Sequence, residues 1–261
     1  MSLPMTFDSL APSYDGDFSE RPTARFLRSL LHDRLRHHLT PGAAVLEIGC
    51  GTGLDAAYMA GLGAQVTATD ISDGMLAQAR ARVRDLSGVT FARLDVNALP
   101  PEGFTGAYSL ILANFGALNA CHNFDALAAW LSARIAPGGL VCMAVMSRFC
   151  LWETVWNGLH LKPRRATRRW RGQATFTPPM GQPMTVIYPS TLQVERAFAP
   201  QFEVSTRRGL GVALPPSEMF GVVESRPWLA RPLTRLERFL WRRGWLAHLA
   251  DHVWWEMVRR A

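Results

Sequence analysis

Lysine is almost absent from this sequence: of 28 basic residues only Lys162 is one, and the rest are arginine. Set against 21 acidic residues they leave a formal charge of +7. Such an excess of arginine is what a GC-rich genome writes into any protein, so the charge alone is weak evidence for a nucleic-acid partner. Cysteine is scarce as well. Cys50, Cys121, Cys142 and Cys150 form no CxxC or CxxH pair, which argues against a zinc site or a disulfide framework and fits a reducing cytoplasm. No run reaches the roughly 18 apolar residues of a spanning helix; the best candidate, Ala107 to Cys121, is broken by Asn114, Gly116 and Asn119. Where a signal peptide needs a basic start and an apolar run, the chain has Asp8, Pro12 and Asp15. The expectation is a soluble, unexported, cytoplasmic protein. Its 261 residues make one large domain or a core with an elaboration, and 48% hydrophobic residues exclude wholesale disorder.

The middle of the chain alternates short apolar runs with helical patterns. Strands are expected at Ala44 to Ile48, Gln65 to Thr69, Val89 to Leu94, Tyr108 to Leu112 and Leu140 to Met146. Helices are expected between them, at Asp55 to Leu62, Asp73 to Val83 and Phe124 to Ile135. Strands alternating with helices of this length predict a parallel sheet covered on both faces, a doubly wound α/β core over residues 42–148. Residues 1–41 precede it, with a helix over 21–39 that places Phe26, Leu27, Leu30, Leu31 and Leu35 on one side. Residues 149–189 read as a covering insertion rich in tryptophan and basic residues, its second half a β-hairpin (Ala174 to Thr177, Met184 to Tyr188). Residues 190–261 complete the sheet with strands at Phe202 to Thr206 and Val253 to Val258, around a helical insertion at 215–250.

Val45-Leu-Glu-Ile-Gly-Cys-Gly-Thr-Gly53 reads as strand, glycine turn and helix start. Such a turn lets a ligand approach the backbone closely. A dinucleotide site needs G-x-G-x-x-G, and here Leu54 stands at the sixth position; a P-loop needs Gly-Lys-Ser/Thr, and no lysine is present. Glu47, two residues before the first glycine, would repel a pyrophosphate but suits a ligand with a cationic group. S-adenosylmethionine (SAM) carries an ammonium and a sulfonium and no phosphate.

On these residues the sequence closely resembles the class I SAM-dependent methyltransferases over about 42–146, and implies their Rossmann-like seven-stranded, mostly parallel sheet. Glu47-Ile-Gly49-Cys50-Gly51-Thr-Gly53 resembles the family's first motif, beneath the methionine part of the cofactor. Asp70 matches the acidic residue that accepts hydrogen bonds from the ribose hydroxyls, with Ile71 and Met75 beyond it. Asp95 and Val96 match the adenine end, and Asn114-Phe115 the fourth motif at the entrance to the acceptor pocket. Phe7 to Asp15 is similar to the segment ahead of the core in ubiquinone/menaquinone-type enzymes, which implies that Tyr14 lies over the cofactor. Singly these signals have plainer readings: a turn, or a helix-capping carboxylate for Asp70 or Asp95. Three of them at successive strand C-termini fall on the edge where open α/β sheets bind ligands.

Methyl transfer mainly requires holding nucleophile and methyl in line at about 3–3.5 Å; a base helps when the acceptor must lose a proton. No Asn/Asp-Pro-Pro-Tyr/Phe follows the fourth strand, which argues against enzymes that methylate amino groups of nucleic-acid bases. Candidate bases are His122, His160, Tyr188 and His252. His122, after the fourth strand, comes first, against a solvated or capping role; His252 is expected to lie away from the methyl. Trp152, Trp156, Phe149 and Leu159 form either an apolar acceptor pocket or the core of a lid, while His160 and Tyr188, from the insertion expected to cover the acceptor, either meet it or are structural. The basic run Lys162 to Arg171 is a solvated face, or steers an anionic partner. The Arg231 to Arg243 helix with Trp241 and Trp245 also reads as a surface for anionic lipid. The expected function is therefore methylation of a small, rather apolar molecule (a lipid, quinone or natural product) with SAM as cofactor and no metal. The alternatives are an RNA methyltransferase and a SAM-binding protein that transfers no methyl.

Overall fold

The computed structural model describes residues 3–99, 104–177 and 183–260, with the backbone alone for 3–6. Among them nine strands are formed: β1 (Ala44–Ile48), β2 (Gln65–Asp70), β3 (Val89–Arg93), β4 (Tyr108–Ala113), β5 (Ile135–Met146), β6 (Gln173–Phe176), β7 (Met184–Ile187), β8 (Phe202–Leu210) and β9 (His252–Arg259). Seven of these make one sheet in the order β3-β2-β1-β4-β5-β9-β8. Its first five strands are parallel, and β9 runs antiparallel between β5 and β8. The order reverses between β1 and β4, the crevice where doubly wound sheets take their ligands. β6 and β7 form a separate antiparallel hairpin, as the alternation at 174–188 predicts; its expected turn, 178–182, lies outside the described residues.

Side chains alternate across the sheet with a period of two. Leu46, Ile48, Ile111, Val141, Met143 and Trp255 enter the core on one face. Val45, Leu110, Leu112, Cys142 and Trp254 enter the core on the other. The helices among the described residues are, in chain order, α1 (Leu3–Leu10), α2 (Pro22–Leu35), α3 (Leu54–Gly61), α4 (Asp73–Arg82), α5 (Phe124–Ser132), α6 (Leu151–Leu159), α7 (Pro163–Ala166), α8 (Thr191–Phe198), α9 (Phe220–Glu224) and α10 (Pro227–Leu240).

Among the elements that differ from expectation, two have a physical reason in the sequence. The helix expected to reach Ile135 stops at Ser132, because Ile135 pairs with Tyr108 and β5 runs straight through Pro137-Gly-Gly. α8 was not anticipated, although Ser190 and Gln193 form a capping box at its start. That S-x-x-Q spacing is a readable helix signal.

Candidate active site

The glycine loop links β1 to α3. Gly53 has φ +81°, a left-handed conformation, and a Cβ there would stand 2.9 Å from the Ala79 side chain and 3.0 Å from its backbone; only glycine lets α4 pack so closely. At Gly51 a Cβ would meet no atom within 4 Å, so that stretch of backbone stays open to a ligand.

Asp70 closes β2. Its Oδ2 accepts the Gly51 N–H at 2.9 Å and its Oδ1 the Ser72 N–H at 2.9 Å. Burial pushes the carboxyl up, and the N–H groups of Ser72, Gly51 and Ile71 draw it part of the way back. The capping of α4 belongs instead to Ser72, whose hydroxyl accepts the Met75 N–H. Asp70 is thus left with acceptor capacity on both oxygens. Asp95 follows β3 and accepts the Asn97 N–H at 2.8 Å.

A cavity of about 300 Å³ runs along this edge of the sheet. Tyr14, Gly49, Gly51, Asp70, Ile71, Met75, Asp95, Val96 and Phe115 all line it, together with Arg28, Phe18 and Asn97. The N-terminal segment closes over it: Asp8 accepts the Ser72 hydroxyl at 2.6 Å and the Gly74 N–H at 2.8 Å, and Asp15 accepts the Thr52 hydroxyl at 2.6 Å. Four residues expected at the cofactor stand behind the cavity wall. Cys50 turns its thiol into the apolar core, which pushes its pKa up. Gly53 packs on α4. Asn114 is buried, donating to Asp55 Oδ2 at 2.8 Å. Glu47 is 2% exposed, and its Oε2 has no hydrogen-bond partner among the described residues.

Arg28 was not singled out. It interrupts the apolar stripe of α2, a readable signal, and its Nη1 pairs with Asp55 Oδ2 at 2.5 Å while its Nε has no partner among the described residues. Its guanidinium lies 4.5 Å from the centre of the Phe115 ring. Phe115 itself adopts φ +43°, a left-handed conformation that a bulky residue holds only when its surroundings impose it.

The far end of the cavity revises the expectations for the acceptor. His122 is exposed in its loop, its backbone N–H bonded to Asn97 Oδ1, and does not line the cavity. His252 does, with its ring 5.8 Å from that of Phe115. It arrives there because β9 pairs antiparallel with β5, bringing His252 opposite Met146. His252 Nδ1 lies 3.0 Å from Asp251 Oδ2. Asp251 Oδ1 is held at 2.7 Å by Arg169 Nη2, and Arg169 Nε reaches Glu153 Oε2 at 2.7 Å. Burial would raise the Asp251 carboxyl, but the Arg169 charge and the hydrogen bonds from His252 and Arg169 outweigh it and hold it well below the usual carboxylate range.

Tyr188, Val186, Met184 and Phe176 of the hairpin wall this end, with Phe220 of α9 opposite. Trp152, Trp156 and His160 do not reach it. The Trp152 indole donates to Ala213 O at 2.7 Å and packs on the core, while Trp156 and His160 lie against each other along α6. The basic run is not one solvated face either: Arg169 is 3% exposed and Arg168 pairs with Glu153 and Glu218. Both arginines are drawn inward by carboxylates remote in sequence.

Residues 45–139 match the family model described as a methyltransferase domain. The non-reducing polyketide synthase trt4 of Aspergillus terreus is 28% identical over 143 residues, 52% of this chain and 6% of that protein. The chain therefore spans a small fraction of the length of the curated relatives it matches. Among solved structures, the CcbJ methyltransferase from Streptomyces caelestis superposes with a TM-score of 0.63 at 17% identity, over 100% of both chains. An S-adenosylmethionine-dependent methyltransferase from Mesorhizobium loti gives 0.56 at 17% identity, covering 87% of this chain and 96% of that one. At such identities the superpositions speak for the fold, and the family model for the core. Residues 45–139 of this chain thus match a methyltransferase domain, carried on the fold that solved SAM-dependent methyltransferases share.

Proposed function

We propose that the protein methylates a hydroxyl of a small, rather apolar molecule, of the lipid, quinone or natural-product class. The observation that carries this reading is one continuous cavity: Asp70 and Asp95 stand at one end, and at the other the apolar walls of Val186, Met184 and Phe220, with Arg168, Arg169, Glu218 and Asp251 beside them, surround His252, the one imidazole among the described residues that lines it. SAM, when bound, supplies an activated methyl on a sulfonium whose departure leaves a neutral thioether.

The chain's own residues fit that group. Asp70 keeps free lone pairs for the ribose hydroxyls, and Asp95 faces the adenine. At the methionine end Arg28, which lines the cavity, has an unpartnered Nε that suits a carboxylate. The open backbone at Gly51 leaves room for the cofactor.

At the acceptor end, Asp251 accepts only, so the neutral imidazole carries its proton on Nδ1 and leaves a lone pair on Nε2. His252 Nε2 takes the hydroxyl proton as the oxygen–carbon bond forms and the sulfur–carbon bond breaks. Asp251 then stabilises the imidazolium. The apolar walls from Val186, Met184 and Phe220 exclude water and favour a greasy acceptor. With Arg168 and Arg169 consumed in internal ion pairs, the basic run offers less to RNA than its sequence implies.

Calorimetric titration with S-adenosylhomocysteine (SAH), after stripping bound ligand, tests the cofactor half. Hydrogen bonds to a charged group contribute about 1.5–3 kcal/mol, so Asp70→Ala is expected to weaken binding by roughly 10- to 150-fold. A folded wild type that binds no SAH would remove the reading altogether. SAH binding without methyl transfer to any hydroxyl in a broad panel of apolar acceptors would instead favour a protein that only binds the cofactor.

A further inference from the structure

The helix α10 and the turn after it present a surface that nothing in the fold covers. Its inner side is accounted for: Leu229, Ala230, Leu233 and Trp241 pack on the core. The sequence reading placed Trp241 on a lipid-facing surface; at 5% exposure it belongs to the interior. The outer side is different. Trp228, Leu236, Phe239 and Trp245 are 74%, 45%, 55% and 69% exposed.

Interleaved with them are Arg231, Arg235, Arg238, Arg242 and Arg243, all exposed and none in an ion pair among the described residues. The Arg243 guanidinium rests 4.7 Å over the Phe239 ring. The helix has one carboxylate, Glu237, and it is turned inward. It is fully buried and accepts the N–H groups of Gly211, Val212, Ala213 and Leu214 at 2.6–3.3 Å. The outer face of α10 is therefore cationic and apolar at once, with no anion to balance it.

We propose that this face docks on an anionic lipid bilayer. Arginines that lack carboxylate partners match headgroup phosphates. Tryptophan and phenylalanine beside them take the interfacial depth that suits amphipathic rings. Nucleic acid would satisfy the arginines but gives an aliphatic side chain such as Leu236 no surface to bury against. The placement also serves the cavity. α9, whose Phe220 walls the acceptor end, packs against α10, so docking brings that end beside the bilayer. The docking goes beyond the methyl-transfer reading and does not depend on it.

Cosedimentation with vesicles tests it, comparing phosphatidylcholine alone with an equal mixture of phosphatidylcholine and phosphatidylglycerol at low and high salt. The wild type is expected to bind the anionic vesicles at low salt at least about tenfold more tightly than the neutral ones, and to lose most of that advantage at high salt. The double variant Trp228→Ser/Phe239→Ser removes two buried-on-docking rings and is expected to weaken binding by roughly tenfold or more. Arg235→Gln/Arg242→Gln is expected to flatten the dependence on lipid charge. None of these side chains lines the cavity, so unchanged SAH titrations certify that the variants are folded. No binding by the wild type, or equal binding by Trp228→Ser/Phe239→Ser, overturns the proposal. So does a wild-type dimer in light scattering that this variant abolishes, or single-stranded RNA binding tighter than vesicle binding, since either names a different occupant.

Discussion

Replacing His252 with glutamine is expected to lower turnover by about 10²- to 10⁴-fold, the usual contribution of a positioned general base, and to leave SAH affinity unchanged. Glutamine keeps a hydrogen-bonding end at the same place beside Phe115 but cannot take a proton. The split separates two roles. A residue that merely shaped the chamber would alter acceptor affinity and turnover together. A base acts on the rate, because the proton moves only as the methyl does. The measurement is transfer of label from SAM to hydroxyl-bearing apolar acceptors, with SAH calorimetry on the same samples. Equal turnover in His252→Gln would remove the base from the mechanism and point to an acceptor that needs none.

Arg169→Met is expected to cost about 3–5 kcal/mol of folding stability, among the largest effects available to one substitution here, read as a lower urea midpoint. Arg169 sits between two buried carboxylates, Glu153 and Asp251, 2% and 6% exposed. Removing it leaves Glu153 to Arg168 alone and Asp251 with only the His252 ring, both buried from water. The deficit should depend on pH in a definite direction. In the wild type the Asp251 carboxyl is held below its unfolded value, so its stabilisation is complete above that value, about 3.9, and is lost as the pH falls further. In the variant a buried carboxyl without its cation takes up a proton more readily than in the unfolded chain. The gap between the two proteins should therefore be widest near neutrality and narrow towards pH 4. A constant gap would mean that Arg168 and His252 suffice to hold the two carboxylates ionised.

The sheet edge that carries the cavity was legible because its signals are local. Glycines 49, 51 and 53 follow β1 directly, Asp70 closes β2 and Asp95 follows β3, so placing the strands places them on one edge. The acceptor end was not legible in this way. His252 reaches it through pairing with Met146, more than a hundred residues away, and no local pattern announces an antiparallel strand inserted beside β5. The same holds for Arg169, whose burial depends on where Glu153 and Asp251 come to lie. Trp152 and Trp156 illustrate another limit. Helical periodicity shows that a face is apolar, not whether it meets a ligand, a core or solvent. Arg28 was the avoidable omission, a charge set in the apolar stripe of a helix.

The insertion of β9 between β5 and β8 has a consequence for how the molecule is made. Ribosomes deliver chain at roughly 5–20 residues per second, so about 5–20 s separate the appearance of Met146 from that of His252. Throughout that interval β5 has a neighbour on one side only, and its other edge offers unpaired amides and carbonyls to any passing strand. The two tryptophans that fill the sheet's faces beside it, Trp254 and Trp255, have not yet been synthesised. Newborn chains should accordingly be most prone to clump, and most in need of chaperone holding, in this window, and His252, the proposed base, is among the last groups to arrive.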